Sequence, residues 1–279
     1  MCGHSPIVPL GKSDIVATLQ LCGFAMLRLF SLTLSLLLAM LPARAADLAA
    51  TIAAVKPSIV GIGTSLPTRS PAVIFFGTGW ATGDGYSVIT NAHVVSNAIK
   101  ADQKESLGIV IAGEGNTIAF RPATLVAVDA EHDLAHLRVS GGAPLPALKL
   151  GDSGTLREGR ELALTGFPLG MVLGLHHVTH RAMLSAITPI IIPSIGARQL
   201  DARAITQLAR PFDIFQLDGT AYPGNSGSPV YDPADGVVYA VINMGFVKGY
   251  KESAISSPSG ISYAIPGRYV QALLQRTAQ

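Results

Sequence analysis

The chain has 279 residues, of which 49% are hydrophobic and 14% charged, and a formal net charge of +2. That apolar content supports a sizeable core, in one large domain or two small ones, and excludes a disordered solvating chain. No basic stripe suits a nucleic acid and no acidic tail suits a solvating or metal-buffering role.

The first segment reads as an export signal. In "MLRLFSLTLSLLLAMLPARA", Arg28 supplies the positive flank, Leu29 to Leu41 the apolar run, and Ala43-Arg44-Ala45 a small-x-small cleavage site. The run of 13 residues is short of the roughly 20 that span a bilayer. Initiation at Met26 gives a signal of ordinary length. Initiation at Met1 makes Ile15 to Leu41 one longer apolar stretch, for which an uncleaved anchor is the alternative. Removing residues 1–45 leaves 234 residues with 17 Lys+Arg against 17 Asp+Glu and neither cysteine, because Cys2 and Cys22 both precede the cut. The expected product is periplasmic or extracellular, off the membrane, and held by its core without disulfides or a Cys-based zinc site.

Asp47 then caps a short helix that Pro57 stops, and Ser58 to Ile62 reads as a strand. From there the period changes. Short runs rich in Val, Ile, Phe and Thr recur between Gly, Asp, Asn and Pro turns, from "AVIFFGTGWAT" and "YSVIT" through "ELALTGF" and "HHVTHRAMLSAI" to "GVVYAVINMGF" and "GISYAIP". Many short strands at this spacing indicate an all-β sandwich or barrel. Asp84-Gly85 fits a two-residue hairpin, and Gly113 to Asn116 joins another pair of strands. The weakly periodic Gly141 to Arg160 divides the strands into two groups, which sets the boundary between two barrels near Leu150 and gives domains 46–150 and 151–279. Only two later stretches look helical: Arg198 to Ala209 in a long connection, and "RYVQALLQR", with Val270, Leu273 and Leu274 at helical spacing.

The chemistry centres on "PGNSGSPVYD". Alone, "GNSG" is a turn. A serine nucleophile needs a base within reach and a group to orient that base. "VITNAHVV" offers His93 after a strand, and "EHDLAHLRV" offers Asp133 before one, with Asp129 as a competing carboxylate. The order His93, Asp133, Ser226 differs from the Ser, acid, His order of α/β-hydrolases. His176, His177 and His180 in "GLHHVTH" are too far apart along a strand for an easy metal site, so no metal or cofactor is expected.

Five stretches, "VKPSIVGI", "GTGWATGDGYSVITNAHVV", "DLAHLRV", "LDGTAYPGNSGSPV" and "GISYAIP", resemble in order the HtrA and V8-like branch of the trypsin-like, chymotrypsin-fold serine proteases. The resemblance implies two six-stranded antiparallel β-barrels with short terminal helices. It makes His93 the general base, Asp133 rather than Asp129 its orienter, Ser226 the nucleophile, and the backbone N–H groups of Gly224 and Ser226 an oxyanion hole. It sets Asn225 in a strained turn position beside them. Thr220, Ala221 and Tyr222 become one wall of the specificity pocket, and Asn243 and Met244 part of the other. No carboxylate at the pocket base and no histidine in the second wall suit Lys, Arg or Glu, which leaves a small or medium apolar side chain. The implied activity is an exported serine endopeptidase acting on protein or peptide substrates, with self-association left open. The alternative is a protease-like peptide-binding or chaperone protein with a resting site. The residues after the last motif are too few for the PDZ domain that typical HtrA proteins carry, Ser228 replaces the last glycine of their "GNSGG", and the Thr188 to Arg210 connection reads as enlarged.

Overall fold

The computed structural model describes residues 47–99, 105–113, 117–170, 174–190, 211–243 and 260–277. The export-signal stretch, the 198–209 helix and Met244 lie outside the described residues.

Asp47 caps α1 (Leu48–Val55), its carboxylate accepting from Ala49 N at 3.0 Å. The chain passes through a 3₁₀ turn, Lys56–Ser58, that holds Pro57, and enters β1 (Ile59–Ser65). β2 (Val73–Thr82), β3 (Ser87–Asn91), β4 (Ser106–Ala112), β5 (Ile118–Asp129) and β6 (Leu134–Val139) follow. They close as one antiparallel barrel in the order β1-β2-β3-β6-β5-β4. β7 (Glu161–Gly166), β8 (Val178–Pro189), β9 (Asp213–Leu217), β10 (Pro229–Tyr231), β11 (Val238–Ile242) and β12 (Ser262–Pro266) close a second, in the order β10-β11-β12-β9-β8-β7. Closure pairs every strand on both sides and leaves no sheet edge. The two six-stranded barrels expected from the sequence are both present.

The period of two explains the cores. Along β6, Ala135, Leu137 and Val139 join Val60, Ile62, Val88 and Ile109 inside the first barrel, while Leu134 points the other way. The second interior holds Leu164, Leu184, Phe215, Leu217, Val230 and Ile242. A third cluster draws on both barrels and the terminal helix α3 (Gly267–Thr277), packing Trp80, Ile89 and Leu134 with Phe167, Tyr231, Val241, Val270 and Leu273. Between the barrels, Leu148 bridges to Thr82 of the first and Leu150 to Val238 of the second.

Two local expectations are corrected. The β2–β3 connection is not a two-residue loop: Thr82 pairs with Ser87, which leaves four residues in the turn. The Asp84 carboxylate closes it by accepting from Tyr86 N at 3.0 Å and Ser87 N at 3.3 Å, and Gly85 takes φ 79°. Residues Ala92–Ile99 form a helix, α2, that the pattern did not reveal. Its run "AHVVSNAI" is short and rich in β-branched residues, which weakens its intrinsic helical signal. Burial of Val94, Val95 and Ala98 against the first barrel decides the conformation.

Candidate active site

Asp133 ends the turn between β5 and β6 in the left-handed region, at φ 55°, a conformation unusual for a residue with a side chain. Its backbone is pinned from the β3–α2 junction, where Asn91 Nδ2 and Ala92 N donate to its carbonyl at 3.1 and 3.0 Å. The carboxylate is 2% exposed and, among the described residues, accepts from His93 N at 2.9 Å, from His93 Nδ1 at 2.5 Å and from Asn243 Nδ2 at 2.8 Å. An ionised carboxylate only accepts, so Nδ1 carries the hydrogen and Nε2 is the ring nitrogen that Asp133 does not engage. Asp129, the competing carboxylate, bonds His132 and Arg276 instead.

The serine turn lies between β9 and β10, with Ser226 6% exposed. Asn225 N donates to Tyr222 O and Ser228 N to Asn225 O, each at 2.9 Å. Gly224 and Gly227 adopt φ 101° and 88°. The positive backbone angles therefore fall on these glycines and not on Asn225, which corrects the expectation of strain there; a residue without Cβ carries that conformation at lowest cost. A Cβ on Gly224 would collide with the Phe167 carbonyl, and one on Gly227 with the Thr78 carbonyl.

Both barrels hold the turn. Thr78 of β2 donates its N–H to Ser226 O at 2.8 Å and its hydroxyl to Gly224 O at 2.7 Å, while the same hydroxyl accepts from Phe167 N at 3.2 Å. From the loop after β7, Leu169 N donates to Pro223 O at 2.7 Å. A trans peptide directs its N–H opposite to its carbonyl, so this bond aims Gly224 N–H away from Leu169. Among the described residues, neither Gly224 N nor Ser226 N donates to a protein acceptor. Two free donors beside a serine are what a developing oxyanion requires.

Ahead of the turn, Ala221 is buried and Thr220 and Tyr222 are half-buried. Asn243, expected in the pocket wall, directs its amide onto Asp133 and is fully buried. The three histidines of "GLHHVTH" have different surroundings: His176 is exposed, His177 Nε2 meets Ile59 O at 2.9 Å, and His180 faces the Tyr222 ring at 6.2 Å. Among the described residues no group of three His, Cys, Asp or Glu side chains is placed to hold a metal ion. The sequence reading missed Thr78 and Leu169 as supports of the turn; Thr78 lay in the quoted "GTGWAT", but its contacts come from the other barrel.

Two closed six-stranded antiparallel barrels of this topology have the chymotrypsin-like fold. The chain belongs to the trypsin-like peptidase domain family, whose profile matches residues 77–241. It is 31% identical over 203 residues to a mitochondrial serine protease HTRA2 of Drosophila pseudoobscura pseudoobscura, spanning 73% of this chain and 39% of that protein. It is 30% identical over the same length to the Drosophila willistoni counterpart, spanning 38% of it. The chain thus spans about two-fifths of these relatives. Among solved structures, an HtrA-type protease AlgW with tripeptide aligns over 82% of this chain and 62% of its own, with TM-score 0.55 and 23% identity.

Proposed function

We propose that this protein is an exported serine endopeptidase that cleaves peptide bonds of protein substrates through an acyl-enzyme. The observation that carries the reading is the 2.5 Å bond between His93 Nδ1 and Asp133 Oδ2, which leaves Nε2 as the basic nitrogen. In this reading Nε2 takes the Ser226 hydroxyl proton as the oxygen attacks the scissile carbonyl. Asp133 orients the ring and stabilises the imidazolium. The N–H groups of Gly224 and Ser226 receive the oxyanion, and His93 then protonates the leaving amine. A water activated by the same imidazole hydrolyses the ester and regenerates the serine.

The division near Leu150 into a half bearing His93 and Asp133 and a half bearing Ser226 belongs to this reading, as does a primary pocket, one wall of which is Thr220, Ala221 and Tyr222, that takes a small or medium apolar side chain. Export rests on the pattern from Met26 to Ala45. Among the described residues no helix is long and apolar enough to cross a membrane.

The test is incubation of the purified protein with a fluorophosphonate probe, read by intact mass, with Ser226→Ala as control. A single adduct on the parent and none on the variant is expected. A folded parent that stays unlabelled and leaves casein uncut overturns the reading in favour of a peptide-binding protein.

A further inference from the structure

A second histidine–carboxylate pair lies directly behind the residue read as the catalytic acid. Asp129, the last residue of β5, is 7% exposed. Its Oδ1 accepts from His132 N at 3.1 Å and its Oδ2 meets His132 Nδ1 at 2.9 Å, so one carboxylate spans the turn from 129 to 132. Arg276, near the end of α3, donates to the same Oδ2 at 2.6 Å. The His132 ring is clasped in turn. Tyr269 of α3 stacks on it at 3.9 Å with 18° between the planes, and Phe212, just ahead of β9, meets its edge at 4.5 Å.

His132 is the residue before Asp133, whose φ of 55° leaves its carboxylate direction dependent on how the preceding peptide is held. The carbonyl side of Asp133 is fixed by Asn91 and Ala92. The amino side is fixed by Asp129 and His132. Burial on its own would raise the Asp129 carboxyl pKa, but the bonds from His132 and Arg276 outweigh it and hold that pKa well below the usual carboxylate range. The group therefore stays charged and able to accept throughout the neutral range.

We propose that Asp129 is a positioning residue of the catalytic apparatus: with Arg276 of the terminal helix and the His132 ring clasped by Phe212 and Tyr269, it fixes the turn that presents Asp133 to His93. The terminal helix is thereby tied to the geometry of the acid. This rests on reading Asp133 as the orienter of His93. Displacements of a fraction of an ångström at such a group are enough to slow catalysis while leaving substrate contacts in place.

The experiment compares Asp129→Ala, Asp129→Asn and Arg276→Gln in the full chain. Two quantities are read: the far-downfield proton resonance of the short His93 Nδ1–Asp133 bond, and kcat and KM on a cleaved peptide. Asp129→Ala is expected to shift or lose the resonance and lower kcat about 10- to 100-fold with KM within about 2-fold. Arg276→Gln, a change at an exposed end, is expected to move the resonance in the same direction with a drop of about 3-fold, restored by Arg276→Lys. A folded Asp129→Ala with the parent resonance and kcat overturns the proposal. Should that variant not fold, Asp129→Asn, which keeps an acceptor for His132 N, and Arg276→Gln decide by the same criterion. The resonance is read without turnover, so a parent that hydrolyses nothing overturns the proteolytic reading and still leaves this one measurable.

Discussion

Asn243 of the second barrel donates its side-chain amide to Oδ2 of Asp133 in the first at 2.8 Å, the same oxygen that His93 Nδ1 meets. Asp133, the proposed acid, is thus held from both barrels, and in that reading the site depends on their relative placement. A hydrogen bond to a buried charged group contributes about 1.5–3 kcal/mol. Asn243→Ala is therefore expected to lower kcat about 10- to 100-fold with little change in KM, since it removes a hydrogen bond to Asp133. Asn243→Asp sets two carboxylates together and is expected to be worse. Steady-state kinetics on one peptide check both, and a variant within about 2-fold of the parent would show that Asn243 does not orient the acid.

Thr78 supplies a second link between the barrels. Its hydroxyl donates to Gly224 O and accepts from Phe167 N, and the residue is fully buried. Thr78→Val keeps the volume but removes both bonds, leaving a half-buried carbonyl and a buried N–H unsatisfied, at up to about 1–3 kcal/mol for the buried group. Thr78→Ser keeps the hydroxyl. Urea unfolding together with the rate of fluorophosphonate labelling is expected to rank parent, Ser and Val in descending order. Equal rates for all three would remove Thr78 from the support of the turn.

The contrast between what the sequence revealed and what it hid follows from the range of the interactions. Asp47 as a helix cap, the alternating strand β6 and the Val270–Leu273–Leu274 face of α3 are all set by neighbours within a few residues, and each was legible. The Asp84 turn failed because a side chain, not the backbone type, closes it. α2 failed because its stability comes from packing on the first barrel. At the candidate site, His93, Asp133 and Ser226, the residues of the proposed triad, were marked by their motifs. The Asn243–Asp133, Thr78–Gly224 and Leu169–Pro223 bonds join positions far apart in the chain, which no local pattern encodes.

Gly224 offers a test of the free N–H groups themselves. At φ 101°, with the Phe167 carbonyl where a Cβ would stand, Gly224→Ala must rotate the turn. The strain is on the order of 1–3 kcal/mol. Loss of one oxyanion donor costs about 10²- to 10³-fold in kcat. A folded Gly224→Ala is expected to lose that much peptide hydrolysis while circular dichroism stays that of the parent. Retention of the parent rate would mean that Gly224 N–H is not used.

Stability is expected to fall on the acid side in two windows. His136, His177 and His180 all have pKa values lowered from the usual histidine value. Burial is the main cause in each; for His177 the bond to Ile59 O opposes it, and for His136 the nearby Arg138 adds to it. The fold holds these rings neutral, so below about pH 6.5 the unfolded chain binds more protons than the native one. Native stability is then full above that value and declines as the pH falls towards the lowered folded values. Asp129, lowered by its His132 and Arg276 bonds against burial, acts in the second window. Its contribution is present above about pH 4 and is lost as the pH drops further. Urea midpoints measured from pH 8 to pH 3 should therefore fall first as the pH drops below about 6.5 and again below about 4. His180 Nε2 has no hydrogen-bond partner among the described residues, so His180→Leu is expected to flatten the first decline without creating an orphaned group. A parent profile that is level from pH 7 to 5 would mean that these histidines titrate alike in the folded and unfolded chains.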